Sequence, residues 1–114
     1  MNVTQKEIVL ISYPFSDLEG KKVRPAVVIS SNNFNKKSND CVMIPLTTVI
    51  NDKPYSILLN QNDLDKGKLL KPSRIRVDKI FTVEKKLIVM SIGFIGDNIF
   101  GKIKKELSKI LENQ

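Results

Sequence analysis

Short apolar and β-branched runs, each closed by a proline, a glycine or a polar turn, fill the first four fifths of this chain of 114 residues. Such runs are typical of β-strands, because β-branched side chains pack well on a pleated surface. The predicted strands are residues 7–13, 26–30, 41–48, 55–60, 74–78 and 86–92. Residues 31–40 are predicted to form a loop or a single helical turn, and residues 62–67 a turn. The pattern therefore predicts a mainly β fold.

The periodicity changes to that of a helix after Gly96. Apolar residues then recur at spacings of three and four with lysines between them, which is typical of an amphipathic helix capped by Asp97 or Asn98. The predicted apolar face consists of Ile99, Phe100, Ile103, Leu107, Ile110 and Leu111. Short strands followed by one packing helix predict a small, strongly curved sheet or half-open barrel, with the helix covering one end.

The length fits a single domain, residues 1–114, and we find no internal repeat, low-complexity segment or linker in it. No run approaches the roughly 20 apolar residues that a membrane helix needs, and the first residues lack the apolar segment of a secretion signal. We therefore expect one cytoplasmic domain with no membrane partner.

The chain has no histidine and one cysteine, Cys41. Without histidine, neither an imidazole acid–base pair nor a Ser-His-Asp triad can form, and the commonest zinc ligand is missing. A single cysteine cannot form an intrachain disulfide, and we expect Cys41 to be a small buried side chain. The twelve acidic residues are scattered, with no pair on an obvious shared face. We expect no metal and no cofactor.

A formal net charge of +7 favours polyanionic partners, although a lysine-rich surface is also simply a soluble one. Only three of the nineteen basic residues are arginines: Arg24, Arg74 and Arg76. A guanidinium is a planar, permanently charged fork that clamps phosphate or carboxylate in a way that lysine does not reproduce. The three arginines are therefore candidates for an anion-binding site, unless packing explains them.

The segment of residues 74–78 alternates between charged and apolar residues. A strand period of two places Ile75 and Val77 on one face and Arg74, Arg76 and Asp78 on the other. Three charges are thus predicted to line one face of a strand.

Several motifs together resemble the PemK/MazF family of bacterial toxin ribonucleases. The motifs are Tyr13-Pro14-Phe15-Ser16-Asp17, the run GKKVRPAVVIS over residues 20–30, Pro45-Leu46-Thr47-Thr48, and PSRIRVDKIFTV over residues 72–83. Gly93 before the C-terminal helix fits as well. The resemblance extends from about residue 7 to residue 111, in the order and spacing of the family.

The resemblance implies a curved, SH3-like barrel with a C-terminal helix, of the CcdB/PemK type, paired into a homodimer. It implies the toxin of a type II toxin-antitoxin system, which inhibits growth by cleaving single-stranded RNA at selected sequences without a metal. In that reaction the 2′-hydroxyl attacks the adjacent phosphorus, leaving a 2′,3′-cyclic phosphate and a 5′-hydroxyl. A cognate antitoxin would block the groove with an acidic segment.

The resemblance also implies catalytic residues. Arg24 matches the arginine of the Arg-Pro motif at the scissile phosphate, and Thr47 matches the first residue of a threonine pair that donates its hydroxyl. Arg76 and Asp78 match an Arg-x-Asp pair that some members use as acid and base. An adjacent arginine lowers the pKa of a carboxyl group, which disfavours a simple base role for Asp78.

Structural explanations remain open for each of these residues. Arg24 could pair with an acidic residue of the preceding loop, such as Asp17 or Glu19, and Thr47 could bond only to the backbone. Arg76 and Asp78 could form an ion pair at the dimer contact. Thr48 is expected on the opposite face from Thr47, because successive strand residues alternate.

Further candidates for RNA contact come from the first loop, the end of the third strand and the charged strand. They are Asp17, Lys21, Lys22, Thr48, Ser73 and Arg74. One departure from the family stands at Lys6, where a glycine usually precedes the acidic residue that opens the first strand. A glycine at this position permits a turn, so its replacement by lysine bears on the local backbone conformation.

Two rival functions use the same fold. A catalytically silent barrel could bind nucleic acid or protein by charge and shape, and Arg24→Ala would then weaken binding without changing any chemistry. A gyrase poison like CcdB would need an apolar, Trp-containing C-terminal tail, whereas this chain ends Leu-Glu-Asn-Gln and has no tryptophan. The ribonuclease remains the favoured interpretation.

Overall fold

The apolar runs of the sequence become the strands of one curled antiparallel sheet in a computed structural model, which describes residues 2–13 and 22–113 and the side chains of residues 2–12 and 23–113. The strands are β1 (Glu7–Tyr13), β2 (Lys22–Val28), β3 (Asp40–Thr47), β4 (Ser56–Leu59), β5 (Leu64–Gly67), β6 (Ser73–Arg76), β7 (Phe81–Glu84) and β8 (Ile88–Ile95). The α-helices are α1 (Asn32–Lys37) and α2 (Asp97–Leu111). The predicted mainly β half-barrel with a C-terminal helix is confirmed.

Strand β3 is the hub of the sheet, whose order is β4-β6-β3-β2-β1-β8-β5, with β7 paired to β3 as well. Its pairing with β7 ends at Met43 and its pairing with β6 begins at Leu46. Pro45 lies between these partners and faces Ala26 of β2. A residue without an N–H group suits a position where the ladder changes partner.

Two hydrophobic clusters occupy the two faces of the sheet. The first lies between the sheet and α2 and consists of Ile8, Val27, Ile44, Leu46, Ile57, Leu59, Ile75, Val77, Ile95, Ile99 and Ile103. The second consists of Val3, Val9, Ile11, Ala26, Val28, Cys41, Met43 and Ile88. Successive residues in the middle of β2 and β3 belong to different clusters, such as Ala26 and Val27 or Met43 and Ile44, so the middle of the sheet is buried on both faces.

Helix α2 packs on the first cluster over its first three turns, as far as Leu107. Ile99 and Ile103 are buried, whereas Ile110 and Leu111 at the C-terminal end are 38% and 76% exposed. The predicted apolar face is therefore correct as far as Leu107 but too long, because the helix extends past the sheet it covers. No helix of the described residues is long and apolar enough to cross a membrane.

The start of α2 differs by one residue from the prediction. Gly96 occupies the N-cap position, and neither Asp97 nor Asn98 caps the helix with its side chain. Asp97 instead forms an ion pair with Lys6, next to the positive end of the helix dipole. The carboxylate thus joins the helix to the start of the sheet.

Lys6, where the sequence departs from the family, has a left-handed backbone conformation with a φ of 78°. Its N–H donates to the Val28 carbonyl at 2.8 Å, and its carbonyl accepts from the Ile95 N–H at 3.0 Å. Its ammonium lies 5.5 Å from the ring centroid of Phe100. A glycine would take this conformation without strain, so the side-chain contacts of Lys6 offset a backbone preference against it.

Strands β5 and β7 were not predicted. Strand β8 was predicted, but it continues through Gly93, which was expected to end it. Glycine occupies these positions because the two strands pack closely. A Cβ atom on Gly93 would lie 2.5 Å from the Lys66 carbonyl oxygen, and a Cβ atom on Gly67 would lie only 2.1 Å from the Ile92 carbonyl oxygen. Gly67 also has a φ of 89°. These glycines mark the close approach of β5 to β8.

Candidate functional site

The strand register brings Arg24 and Thr47 together. Strands β2 and β3 are antiparallel with Ala26 opposite Pro45. Continued for two residues, this register would place Arg24 opposite Thr47, and Thr47 in turn faces Arg74 of β6. A basic residue, a hydroxyl and a second basic residue therefore form a row across one face of three neighbouring strands.

Arg24 and Thr47 line one open cleft of about 350 Å³ at the end of β3. The cleft is lined by Val23, Arg24, Pro25, Leu46, Thr47 and Thr48. Thr48 was predicted to face away from Thr47, but β3 ends at Thr47, so the alternation does not extend to it. Both threonines border the same cleft.

The cleft offers hydrogen-bond donors to an anion. The Arg24 side chain is exposed, and within residues 2–13 and 22–113 its guanidinium makes no hydrogen bond or ion pair. The Thr47 hydroxyl accepts from the Val49 N–H at 3.1 Å, which leaves its own O–H able to donate. A permanent cation beside a free hydroxyl donor suits a phosphate oxygen.

Arg74 shares the face of Thr47 but is turned toward the segment of residues 48–55. Its Nε donates to the Ile50 carbonyl at 3.1 Å and its Nη1 to the Ser56 hydroxyl at 3.2 Å, and its Nη2 lies 3.5 Å from the Asp52 carboxylate. Only 13% of the side chain is exposed. The structure therefore engages Arg74, predicted to contact RNA, in holding the segment beside the cleft.

Arg76 and Asp78 form a two-point ion pair. The Arg76 Nε and Nη2 donate to the two carboxylate oxygens of Asp78 at 3.0 and 2.8 Å. This hydrogen bonding lowers the pKa of Asp78 and raises that of Arg76. Arg76 is diagonal to Thr47 on the same face, a separation of roughly 7–8 Å between backbones.

The predicted alternation over residues 74–78 is correct only in part. Ile75 and Val77 are buried as expected, but β6 ends at Arg76, and Asp78 lies in a 3₁₀ turn, Val77–Lys79. The Asp78 carboxylate reaches Arg76 because the 3₁₀ turn directs it back toward the strand. The charged face of the strand therefore consists of Arg74 and Arg76 alone.

Of the remaining sequence-derived candidates, one is buried, one begins a strand and two lie outside the described residues. Ser73 is buried, and its hydroxyl donates to the Lys71 carbonyl at 3.1 Å. Lys22 begins β2 and pairs with Tyr13 of β1. Asp17 and Lys21 lie outside the described residues, as does Glu19, one of the alternative partners of Arg24.

The groups that could hold a metal or act as a thiol nucleophile are not assembled. In the part of the chain that the structure describes, no three His, Cys, Asp or Glu side chains converge. Cys41 is fully buried, and burial raises its pKa to about 11, so its thiol stays protonated at neutral pH. Cys41 belongs to the second hydrophobic cluster, as expected.

Sequence reasoning missed a second cleft, of about 380 Å³, lined by Asn60, Gln61, Asn62, Leu69, Lys71 and Pro72. The signal in the sequence was a run of three carboxamide residues directly after a predicted strand. A run of this kind reads as an ordinary turn, because asparagine is common in turns.

Residues 4–111 match one protein family, described as PemK-like, MazF-like toxin of type II toxin-antitoxin system. The match spans nearly the whole chain. No curated protein sequence matches this chain significantly.

Several solved structures share the fold. One is an endoribonuclease in complex with its cognate antitoxin from a mycobacterial species, 18% identical, with a TM-score of 0.78 over 98% of this chain and 99% of that one. Another mycobacterial endoribonuclease is 20% identical, with a TM-score of 0.76 over 97% and 92%. A MazE-MazF structure from Deinococcus radiodurans is 13% identical, with a TM-score of 0.81 over 97% of each chain.

Proposed function

We propose that this chain, which belongs to the PemK-like, MazF-like toxins of type II toxin-antitoxin systems, is an endoribonuclease that cleaves single-stranded RNA. The observation that carries the proposal is the cleft in which Arg24 and Thr47 lie side by side. Structures of the same fold are named endoribonucleases, and this cleft supplies the donors that an RNA phosphate would require.

The proposed reaction is an internal transesterification. The 2′-oxygen of one nucleotide forms a bond to the adjacent phosphorus while the bond from phosphorus to the 5′-oxygen breaks. The 2′-hydroxyl proton is lost and the departing 5′-oxygen gains a proton, which gives a 2′,3′-cyclic phosphate and a 5′-hydroxyl. The nucleophile belongs to the substrate, so the protein has to position the phosphate, stabilise charge and move protons.

Arg24 would stabilise the charge that develops on the nonbridging phosphate oxygens. Because a guanidinium is a permanent cation and that of Arg24 is exposed in the cleft, it needs no proton exchange to do so. Removing one such donor from a preorganised site raises a barrier by about 3–4 kcal/mol. This positive charge supplies what a metal ion would otherwise contribute, which is why we propose a metal-independent reaction.

Thr47 would donate its hydroxyl to the phosphate or to the 2′-oxygen. Its orientation is fixed by the Val49 N–H, which occupies one lone pair of the hydroxyl oxygen. A donor held in this way loses little conformational freedom when the substrate binds. Thr48, exposed on the same cleft, would contact the neighbouring backbone of the RNA.

For Arg76 and Asp78 we propose a shared role in which the carboxylate positions the guanidinium. A carboxylate whose pKa is lowered by its arginine is a weak base, so Asp78 is poorly suited to remove the 2′-proton. Held by two hydrogen bonds, Arg76 presents a fixed positive charge on the face that carries Thr47. The residue that takes the 2′-proton is left unassigned.

The proposed partners are RNA, an acidic antitoxin and a second copy of the chain. Exposed apolar side chains border the cleft, with Val23, Val49 and Ile50 each about half exposed, at 48%, 55% and 49%. Apolar groups beside a basic cleft suit coverage by a protein that also carries acidic residues. We propose that the antitoxin and the homodimer contact use this border.

The test is cleavage of a mixed pool of single-stranded RNA by the purified protein and by five variants. Arg24→Ala should cleave at least about a hundredfold more slowly, and Arg24→Lys should recover part of the rate. Thr47→Val should be slow while Thr47→Ser keeps the hydroxyl and most of the rate. Lys102→Ala on the exposed face of α2 is the matched control for loss of a surface charge and should behave as wild type.

An intact RNA pool that is nevertheless bound would contradict the proposal. In that case the chain would be the catalytically silent barrel, and Arg24→Ala would change only the affinity.

A further inference from the structure

The second cleft and the Arg24 cleft lie at the same end of the sheet. Thr47, the last residue of β3, faces Arg74, the second residue of β6. Leu59, the last residue of β4, faces Ser73, the first residue of β6. The chain therefore leaves β3 and β4 at the end where it enters β6, and the residues beyond these three strand ends form one rim.

The two clefts follow each other along this rim. The first lies between β2 and β3, and the second is formed by residues that follow β4 and precede β6. From β3 to β4 is two strand spacings, about 10 Å. An extended single strand that occupies the Arg24 cleft can reach the second cleft with a neighbouring nucleotide.

The wall of the second cleft is held in a fixed shape. The Gln61 carboxamide donates to the Gly67 carbonyl at 3.1 Å and accepts from the Leu69 N–H at 2.7 Å, which joins the two sides of the cleft loop. The Asp63 carboxylate accepts from the Asn60 N–H at 2.8 Å. When the backbone of a site is fixed before binding, little free energy is lost in ordering that backbone as the ligand binds.

The lining offers three kinds of contact. The ammonium group of Lys71 can pair with a backbone phosphate. The exposed carboxamide of Asn62, which makes no hydrogen bond within the described ranges, has a donor and an acceptor that match the edge of a base. Leu69 and Pro72 add apolar surface against which the flat face of a base can pack. Gln61 is already engaged at both ends, so it builds the cleft and does not read the base.

We propose that the second cleft is a nucleotide-binding subsite, in which Asn62 reads one base beside the cleavage position and Lys71 holds its phosphate. The inference rests on the proposed function, because it assigns to that reaction a part of its sequence selectivity. RNA single strands expose their base edges, so a carboxamide at a fixed position can distinguish them.

The test uses the full chain and an RNA library with a randomised segment, whose cut ends are sequenced. Asn62→Ala should reduce the preference for one base at a fixed distance from the cut by about tenfold, and should leave the rate on RNAs without that base unchanged. Lys71→Ala should raise KM with kcat unchanged, because its phosphate is not the one that reacts. Asn33→Ala and Lys37→Ala are matched controls on α1, which follows the other end of β2.

A second arm measures the binding of short single-stranded RNA by fluorescence anisotropy. If the wild type cleaves no RNA but Asn62→Ala and Lys71→Ala still weaken this binding relative to their controls, the proposed function fails and the subsite stands. If the wild type cleaves RNA, and both variants have the same base preference and the same KM as the wild type, the subsite is overturned and the ribonuclease stands. A loss of affinity confined to an acidic peptide would also overturn it, in favour of a protein-binding surface.

Discussion

At the scale of single residues, the sequence pointed to Arg24 because arginine is rare in the chain and because this one stands in the Arg-Pro motif. The structure places Arg24 on the cleft that Thr47 also lines. Arg74 has a different task, because its partners Ile50, Asp52 and Ser56 are 18 to 24 positions away in sequence. No local pattern shows a contact of that range, and so its engagement with residues 48–55 could not be predicted.

Lys6 allows a matched test of backbone conformation. In Lys6→Gly and in Lys6→Ala the ion pair with Asp97 and the contact with Phe100 are both lost, so the two variants differ mainly in their tolerance of a φ of 78°. We expect Lys6→Gly to be the more stable of the two by about 1 kcal/mol, measured by urea denaturation. Equal stability, or a more stable alanine variant, would show that this position is not strained.

Asp78 gives a prediction about pH. Arg76 holds the pKa of this carboxyl below its usual range, so the group stays ionised throughout pH 5–8. We expect Asp78→Asn to cleave RNA more slowly than wild type but with the same dependence on pH in that window, because a positioning role does not titrate there. If Asp78 were the general base, the variant would lose the acid limb of the wild-type profile.

The same pair sets the direction of an acid effect on stability. A carboxyl group with a lowered pKa stabilises the fold above its unfolded value of about 3.9, and this contribution is lost as the pH falls through the folded value. The difference in stability between wild type and Asp78→Asn should therefore shrink only in strong acid.

At the scale of elements, the strands with continuous apolar sequence and the helix with a clear periodicity were predictable. β5 was not, because its sequence Leu-Asp-Lys-Gly has one apolar residue and its strand conformation depends on pairing with β8. The end of β6 at Arg76 was not predictable either. A 3₁₀ turn follows Arg76, although charged and apolar residues still alternate there in the sequence. Pairing and turn geometry, not local composition, decided both cases.

The segment of residues 48–55 provides a prediction at this scale. Arg74→Ala removes the two Arg74 contacts that tie it to β6, those to Ile50 and Asp52, and Arg74→Lys cannot reproduce the fork that makes them. We expect faster amide hydrogen exchange across residues 48–55 in both variants. Arg24→Ala is the control, because its side chain makes no such contact within the described part of the chain; unchanged exchange in Arg74→Ala would refute the tether.

At the scale of the whole molecule, one end of a curled sheet collects the cleft of Arg24 and the cleft of Asn62. The chain carries a net charge of +7, which favours RNA and an acidic polypeptide alike. The fold class followed from the sequence because the strand and helix patterns agree with each other. The rim did not, because it exists only once the ends of β3, β4 and β6 meet.

Competition at this rim is a further expected property. An acidic polypeptide such as polyglutamate should inhibit RNA cleavage. The inhibition should weaken as salt is added, because salt screens the attraction between the polypeptide and the basic residues that also bind RNA. A neutral polypeptide of equal length is the control. Inhibition that does not depend on salt would contradict an electrostatic contact.

The central claim is that this chain cleaves RNA by attack of the substrate's own 2′-hydroxyl, with Arg24 stabilising the phosphate. The most direct measurement incubates wild type and Arg24→Ala with long unstructured RNA in excess EDTA and determines the chemistry of the new ends. We predict fragments from the wild type alone, with 2′,3′-cyclic phosphate and 5′-hydroxyl ends. Fragments with 5′-phosphate ends, activity abolished by EDTA, or equal cleavage by Arg24→Ala would contradict it.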